Sequence, residues 1–166
     1  MAFFNFKKIL CLGALLSLSS LLHANSSHNI YMMTLSIMSY VKWNTSTPSL
    51  CIVDNPNMLE NFSRTIKQQS SPIKTNSVKS KDPSIKECDA IFFSNTTPVN
   101  EQKLISASTP PLLSFSNNNI ECEIGSAFCL YSTKSGNTQF KVNLDSLAKA
   151  KIHVDPRVLL LAQSSE

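Results

Sequence analysis

Cys88-Asp89-Ala90-Ile91-Phe92-Phe93 is followed at once by Ser94-Asn95-Thr96-Thr97-Pro98. A continuous apolar run of this length, stopped by turn-forming residues, has the pattern of a parallel strand buried on both faces. Its neighbours repeat the arrangement. Upstream, Ser49-Leu50-Cys51-Ile52-Val53 reads as a second short buried strand. Asp54-Asn55-Pro56 ends that strand and starts a helix over 57–69, with Asp54 or Asn55 as cap, Pro56 in the first turn, and Leu59, Phe62 and Ile66 on one face. Downstream, a helix over 99–106 is ended by Thr109-Pro110-Pro111, and Leu112-Leu113-Ser114-Phe115 supplies a third strand. Strand and helix alternate, so the expectation is an α/β layered sheet, mostly parallel, with right-handed crossovers and helices on both faces.

The flanks complete this plan. Residues 31–43 place Met33, Ile37, Tyr40 and Val41 on one helical stripe that Leu35, Met38 and Trp43 extend, a pattern that suits core packing. Residues 68–83 are polar and rich in Ser and Lys, with a weak edge strand over 73–78. Ala127-Phe128-Cys129-Leu130-Tyr131 and Thr138-Gln139-Phe140-Lys141-Val142 flank Lys134-Ser135-Gly136-Asn137, whose Gly and Asn accept positive φ. They predict a C-terminal antiparallel hairpin. Helices over 143–150 and 156–162 follow, the second carrying Val158, Leu159, Leu160 and Leu161.

The N-terminus reads as an export signal. Lys7 and Lys8 precede an apolar run from Ile9 to Leu22, and Ala24 stands before Asn25-Ser26-Ser27. Residues 1–24 are expected to be removed, because the run is too short to span a membrane comfortably. Cys11 lies inside the run, preceded by Lys8-Ile9-Leu10, which is not the small-residue context of a lipidation site. Residues 25–166 remain as a single domain with one core. Without Lys7 and Lys8 the chain has 13 basic against 11 acidic residues, a net charge near +2. The lysines between Lys67 and Lys86 are interleaved with Ser, Thr, Asn and Gln rather than aromatics, which gives nucleic acid no stacking surface.

Several chemistries are excluded by scarcity. Only Gly125 and Gly136 follow the leader, so neither a dinucleotide fingerprint nor a phosphate-cradling loop can be drawn. His28 sits near the new terminus, and His153 falls in a helix-ending loop with no nucleophile elbow elsewhere, so a surface or loop-packing role is expected for it. Glu121 and Glu123 would share a face of an extended segment, yet two carboxylates there are ordinarily solvated charges. No catalytic residue and no cofactor are expected. Asn25, Asn44, Asn61 and Asn95 head Asn-x-Ser/Thr sequons, which matter only in a eukaryotic secretory route.

Four cysteines, Cys51, Cys88, Cys122 and Cys129, follow the leader. Cys51 and Cys88 each open or enter a predicted strand, and adjacent strands would bring them into range. A bond closing that 38-residue loop would be worth about 4 kcal/mol in the chain-entropy model. Cys122 and Cys129 would face each other if Gly125-Ser126 formed a two-residue turn, closing a shorter loop worth about 2.5 kcal/mol. Two other arrangements stay open: a four-thiolate zinc site, disfavoured because no C-x-x-C pair occurs, and one bonded pair beside a free, redox-sensitive one.

Separated features of the chain resemble one family. They are Tyr40-Val41-Lys42-Trp43 at the end of the first helix; Leu50-Cys51-Ile52-Val53-Asp54-Asn55-Pro56; Cys88-Asp89-Ala90-Ile91-Phe92-Phe93; and the closing Phe140-Lys141-Val142-Asn143-Leu144, Ala148-Lys149-Ala150-Lys151-Ile152 and Val158-Leu159-Leu160-Leu161-Ala162. Together they look like the YfiR-like periplasmic proteins over nearly all of residues 25–166. Asp89 and Asp54 depart from the histidine and glycine usual at those places. The resemblance implies bonds Cys51 to Cys88 and Cys122 to Cys129. It also implies a non-enzymatic periplasmic repressor that binds the sensor domain of an inner-membrane GGDEF diguanylate cyclase and lowers cyclic-di-GMP, with effects on biofilm and motility. Analogy with the family admits a homodimer. The alternative is a periplasmic module that binds a small molecule or cell-wall fragment and signals to a different partner.

Overall fold

The computed structural model describes residues 29–81 and 83–163. The expected leader, Cys11, Asn25 and His28 lie outside the described residues. Along the chain the elements are α1 (Ile30–Ser39), β1 (Ser49–Val53), α2 (Pro56–Gln69), β2 (Lys74–Val78), a 3-10 turn (Pro83–Glu87), β3 (Ala90–Phe93), α3 (Pro98–Ala107), β4 (Leu113–Ser116), β5 (Phe128–Ser132), β6 (Thr138–Val142), α4 (Leu144–Ala150), a second 3-10 turn (Pro156–Leu159) and α5 (Leu160–Gln163). The strands form one sheet in the order β2-β1-β3-β4-β5-β6. Every neighbouring pair is parallel except β5 with β6. This is the α/β architecture that the alternating sequence predicts, including the parallel edge strand and the C-terminal hairpin.

Successive strand residues point to opposite faces, so each apolar run divides its side chains between two layers. On the first face Leu50, Ile52, Phe92, Leu113, Phe115, Phe128 and Phe140 pack with Met33, Ile37 and Met38 of α1 and Phe62 and Ile66 of α2. A chain of rings crosses this face from Tyr31 through Phe62, Phe92, Phe115 and Phe128 to Phe140, with centroids 5.0 to 6.5 Å apart. On the second face a smaller cluster contains Cys51, Val53, Val78, Ile91 and Phe93 with Ile85, Cys88 and Leu112, flanked by Leu104 and Ile105 of α3. Helices therefore cover both faces, α1 and α2 on one and α3 on the other.

Local chemistry fixes the helix starts. Asn29, Asn55 and Asn143 each accept a backbone N–H from the residue three further on, at 2.9 to 3.0 Å. Pro56 and Pro98 occupy first-turn positions where a missing N–H costs nothing.

The structure corrects several boundaries. The first helix ends at Ser39 rather than Trp43, because Val41 leaves to form an antiparallel bridge with Val154. Lys42 N donates to the His153 carbonyl at 2.9 Å and Asp155 N to the Tyr40 carbonyl at 2.8 Å. A contact with a segment more than a hundred residues away thus overrides local periodicity. The closing apolar stretch opens as a 3-10 turn over Pro156–Leu159 before one α-turn, since the Asp155 carboxylate accepts the Arg157 N–H at 2.9 Å and sets a tight first turn. Cys88 does not open a strand. It closes the 3-10 turn, its N–H donating to the Ile85 carbonyl, and β3 begins at Ala90.

Two outcomes test these assignments. Phe92→Ala removes the ring that touches both Phe62 and Phe115 and is expected to cost about 3 to 5 kcal/mol, read as a lower urea midpoint; an unchanged midpoint would show that the ring chain carries no core. The Arg157 side chain, followed by its backbone N–H, hydrogen-bonds the Asp155 carboxyl and holds it at about 2, below the usual 3.8. A lowered folded-state pKa means that the contact stabilises the fold above pH 3.8 and is lost as pH falls toward 2. Carbon-13 titration of Asp155 should therefore show a midpoint near 2 that moves up toward 3.8 in Arg157→Gln.

Candidate functional site

The second face of the sheet changes character from left to right. Over β1 and β3 it is apolar, but β4 presents Ser114 and Ser116 there, both buried. Leu113-Ser114-Phe115-Ser116 alternates because its apolar members belong to the first-face core. Hydroxyls cannot form an apolar layer, so another kind of contact must cover them. Two devices supply it: a loop fastened to β5, and a carboxylate.

The loop joins β4 to β5. Cys122 within it is bonded to Cys129 of β5, with Cα atoms 5.7 Å apart. The bond forms without a two-residue Gly125-Ser126 turn. Cys122 lies in an irregular segment with φ +60°, and Gly125 has φ +90°, so the bond closes through a wound loop rather than across facing strand residues. The other bond, Cys51 to Cys88, spans 5.8 Å between Cα atoms and ties β1 to the turn that leads into β3. Both bonds lie on the second face, and all four cysteines are buried. Paired in this way, no sulfur is left as a thiolate ligand. Among the described residues no group of three His, Cys, Asp or Glu could hold a metal ion.

The carboxylate is Glu101, in the first turn of α3 and 0 % exposed. Its Oε1 accepts from Ser116 Oγ at 2.6 Å. Its Oε2 accepts from the Ser126 N–H at 3.1 Å, Ser126 Oγ at 2.9 Å and Asn119 Nδ2 at 3.4 Å. Asn119 extends the web: its Nδ2 donates to the Ile124 carbonyl at 2.7 Å and its Oδ1 accepts from Cys122 N at 3.1 Å. Gly125 is the crossing point. Its N–H donates to Gln102 Oε1 at 3.2 Å and its carbonyl accepts from Ser146 Oγ of α4 at 2.7 Å. A Cβ at Gly125 would stand 2.7 Å from Glu101 Oε2 and 3.0 Å from the Pro98 carbonyl, so only glycine fits there.

A buried carboxylate surrounded by hydroxyl, amide and backbone donors is a clamp. Its hydrogen-bond capacity is used inward, and no part of Glu101 is exposed to solvent. The clamp binds α3, β4 and the loop, and it leaves Ile120 (62 % exposed) and Ile124 (47 % exposed) on the loop's outer surface.

The other residues singled out from sequence lie apart from this node or on its rim. His153 is exposed and contributes its backbone carbonyl to the bridge with Lys42. Glu121 is exposed with an oxygen 3.9 Å from Lys141 Nζ, and Glu123 is exposed, in a loop rather than a strand. Glu101, Asn119 and Ser126 were not legible as site residues. The available signal was the alternation of apolar and hydroxyl residues in β4, which demands a polar partner.

A family model described as YfiR/HmsC-like matches residues 31–163. This chain belongs to the YfiR/HmsC-like family. The match spans every element from α1 to α5 and both disulfides. Among solved structures, the chain is similar to one described for O-acetylhomoserine sulfhydrylase of Wolinella succinogenes, at 16% identity and a TM-score of 0.41, over 66% of this chain and 37% of that one. Such a likeness carries no argument. YfiR/HmsC-like membership and two internal disulfides fit a regulator working in an oxidising compartment, and no helix among the described residues is long and apolar enough to cross a membrane.

Two glycine variants separate crowding from backbone strain. Gly136 also has positive φ but nothing lies within 4 Å of its added Cβ, so Gly136→Ala should cost about 1 kcal/mol. Gly125→Ala meets backbone and the clamp as well and should cost about 3 kcal/mol or more. Thermal melts of the two proteins decide it, and equal losses would show that the Glu101 web has slack.

Proposed function

We propose that this protein is exported with removal of residues 1–24, works in the periplasm as one domain over residues 25–166, and represses cyclic-di-GMP synthesis by binding the periplasmic sensor domain of an inner-membrane GGDEF diguanylate cyclase. It performs no catalysis of its own. Family membership over residues 31–163 is the observation that carries this reading. The two bonds support the compartment, since disulfides persist outside the reducing cytosol.

The fold also supports a redox element in this output. Ile120 and Ile124 are presented by the loop that the Cys122 to Cys129 bond fastens. Reduction of that bond removes a covalent tie and leaves the Glu101 web as the loop's principal anchor, loosening an apolar surface that faces the partner. The Cys51 to Cys88 bond instead ties the central strand β1 to the turn that leads into β3 and serves as the structural staple.

Deletion of the gene should raise cellular cyclic-di-GMP, and complementation should restore it. Complementation with Ile120→Asn and Ile124→Asn together should fail to restore it while the purified variant melts as wild type does. No rise on deletion, with the protein shown to be exported, would remove the repressor reading. A Cys51→Ser, Cys88→Ser variant should lose about 2 to 5 kcal/mol in stability, whereas Cys122→Ser, Cys129→Ser should lose repression with a smaller loss of stability.

A further inference from the structure

A cleft of about 310 Å³ lies between α3 and α4 on the second face of the sheet. Its apolar surface comes from Ile105 and Leu112, its hydroxyls from Ser106 and Ser108, and its charge from Lys149 and Lys151. We infer that this cleft binds a small amphipathic anion, an apolar body carrying one carboxylate. This goes beyond the repressor reading and does not depend on it.

Charge is the first argument. No acidic residue lines the cleft, yet two lysines do. The ion pairs among the described residues join Arg64 to Glu60, Lys141 to Glu121 and Arg157 to Asp155, so neither Lys149 nor Lys151 has an acidic partner there. Both lysines are exposed, which leaves their heads able to close over a ligand on flexible stems.

Hydrogen-bond capacity is the second. Ser106 Oγ accepts from Gln102 Nε2 at 2.9 Å, which leaves its own proton to donate to an anion. Ser108 Oγ donates to the Leu104 carbonyl at 3.0 Å, so it keeps lone pairs but no proton. The arrangement therefore has one oriented hydroxyl donor beside two cations, over an apolar floor. The volume sits at the small end of the range of ligand pockets, about 300 to 1,000 Å³, which suits a single ring or a short chain.

The walls of the cleft are joined to the clamp. Gln102 on α3 and Ser146 on α4 both line the cleft, and both hydrogen-bond to Gly125, one through its N–H and the other through its carbonyl. A ligand that separates or draws together α3 and α4 therefore acts on Gly125, three residues from Cys122. Occupancy should be felt in the loop.

Phenylacetate, its neutral isostere phenylacetamide, and inorganic phosphate are the probes, titrated into nitrogen-15-labelled protein purified from the periplasm. Phenylacetate should saturate at millimolar concentration or below, shifting the amides of Ser106, Ala150 and Lys151 and also that of Gly125. Phenylacetamide and phosphate should each bind about tenfold more weakly or not at all, since one lacks the charge and the other the apolar body. Lys149→Gln with Lys151→Gln should weaken phenylacetate about tenfold without changing the melting temperature. Ser106→Trp, at an exposed helix position, should block the cleft and abolish the shifts. A second hollow of about 240 Å³ on the other side of α3, bordered by Lys81, Ile85 and Lys86, gives the internal control. Shifts confined to Ile85 and Lys86 would overturn the assignment. So would equal binding of the acid and the amide, unaltered binding by the lysine variant, or no saturation by phenylacetate.

Discussion

The unequal apolar content of the two sheet faces is the constraint on which the rest of the structure depends. The first face stacks six rings in series, five buried phenylalanines and the partly buried Tyr31, and receives two helices. It needs no further device, because each fully buried large side chain contributes on the order of 2 kcal/mol. The second face has a small apolar cluster over β1 and β3 and hydroxyls over β4. Both disulfides and Glu101, the one buried carboxylate among the described residues, occupy that face. Covalent and polar ties stand where the sequence supplies too little apolar surface.

This division has a consequence for dynamics. Contacts built from apolar area are lost gradually and over many residues, whereas the loop between β4 and β5 is held by one disulfide and by hydrogen bonds gathered at Glu101 and Gly125. Its two anchors are of different kinds. A disulfide responds to the redox state of the compartment, and Gly125 hydrogen-bonds the loop to both α3 and α4.

Much of the architecture was legible in the sequence. Ala90 to Phe93 and Leu50 to Val53 read as strands buried on both sides because each is a continuous apolar run, although Cys88 and Asp89 ahead of β3 stay outside the strand. Gly136 and Asn137 marked the hairpin, and Asn55 with Pro56 marked the start of α2. The cysteine pairing followed from resemblance to the YfiR-like proteins, and the bonds are where that resemblance implies. A glycine between two cysteines admits a tight turn, but the Cys122 to Cys129 bond closes without one. Glycine is required there for another reason, the close approach of Glu101.

The sequence by itself determined the alternation of strands and helices, the parallel order and the hairpin, since these rest on periodicity and turn chemistry encoded within about ten consecutive residues. Tertiary structure alone decided where α1 stops, because Val41 answers to Val154. It alone made Glu101 a buried clamp, because an acidic residue in a helical first turn looks solvated until a serine-bearing strand and an asparagine-bearing loop close over it. It alone set Lys149 and Lys151 beside Ser106 across a cleft. Contacts between residues fifteen to more than a hundred positions apart depend on how layers stack, and no local pattern records them.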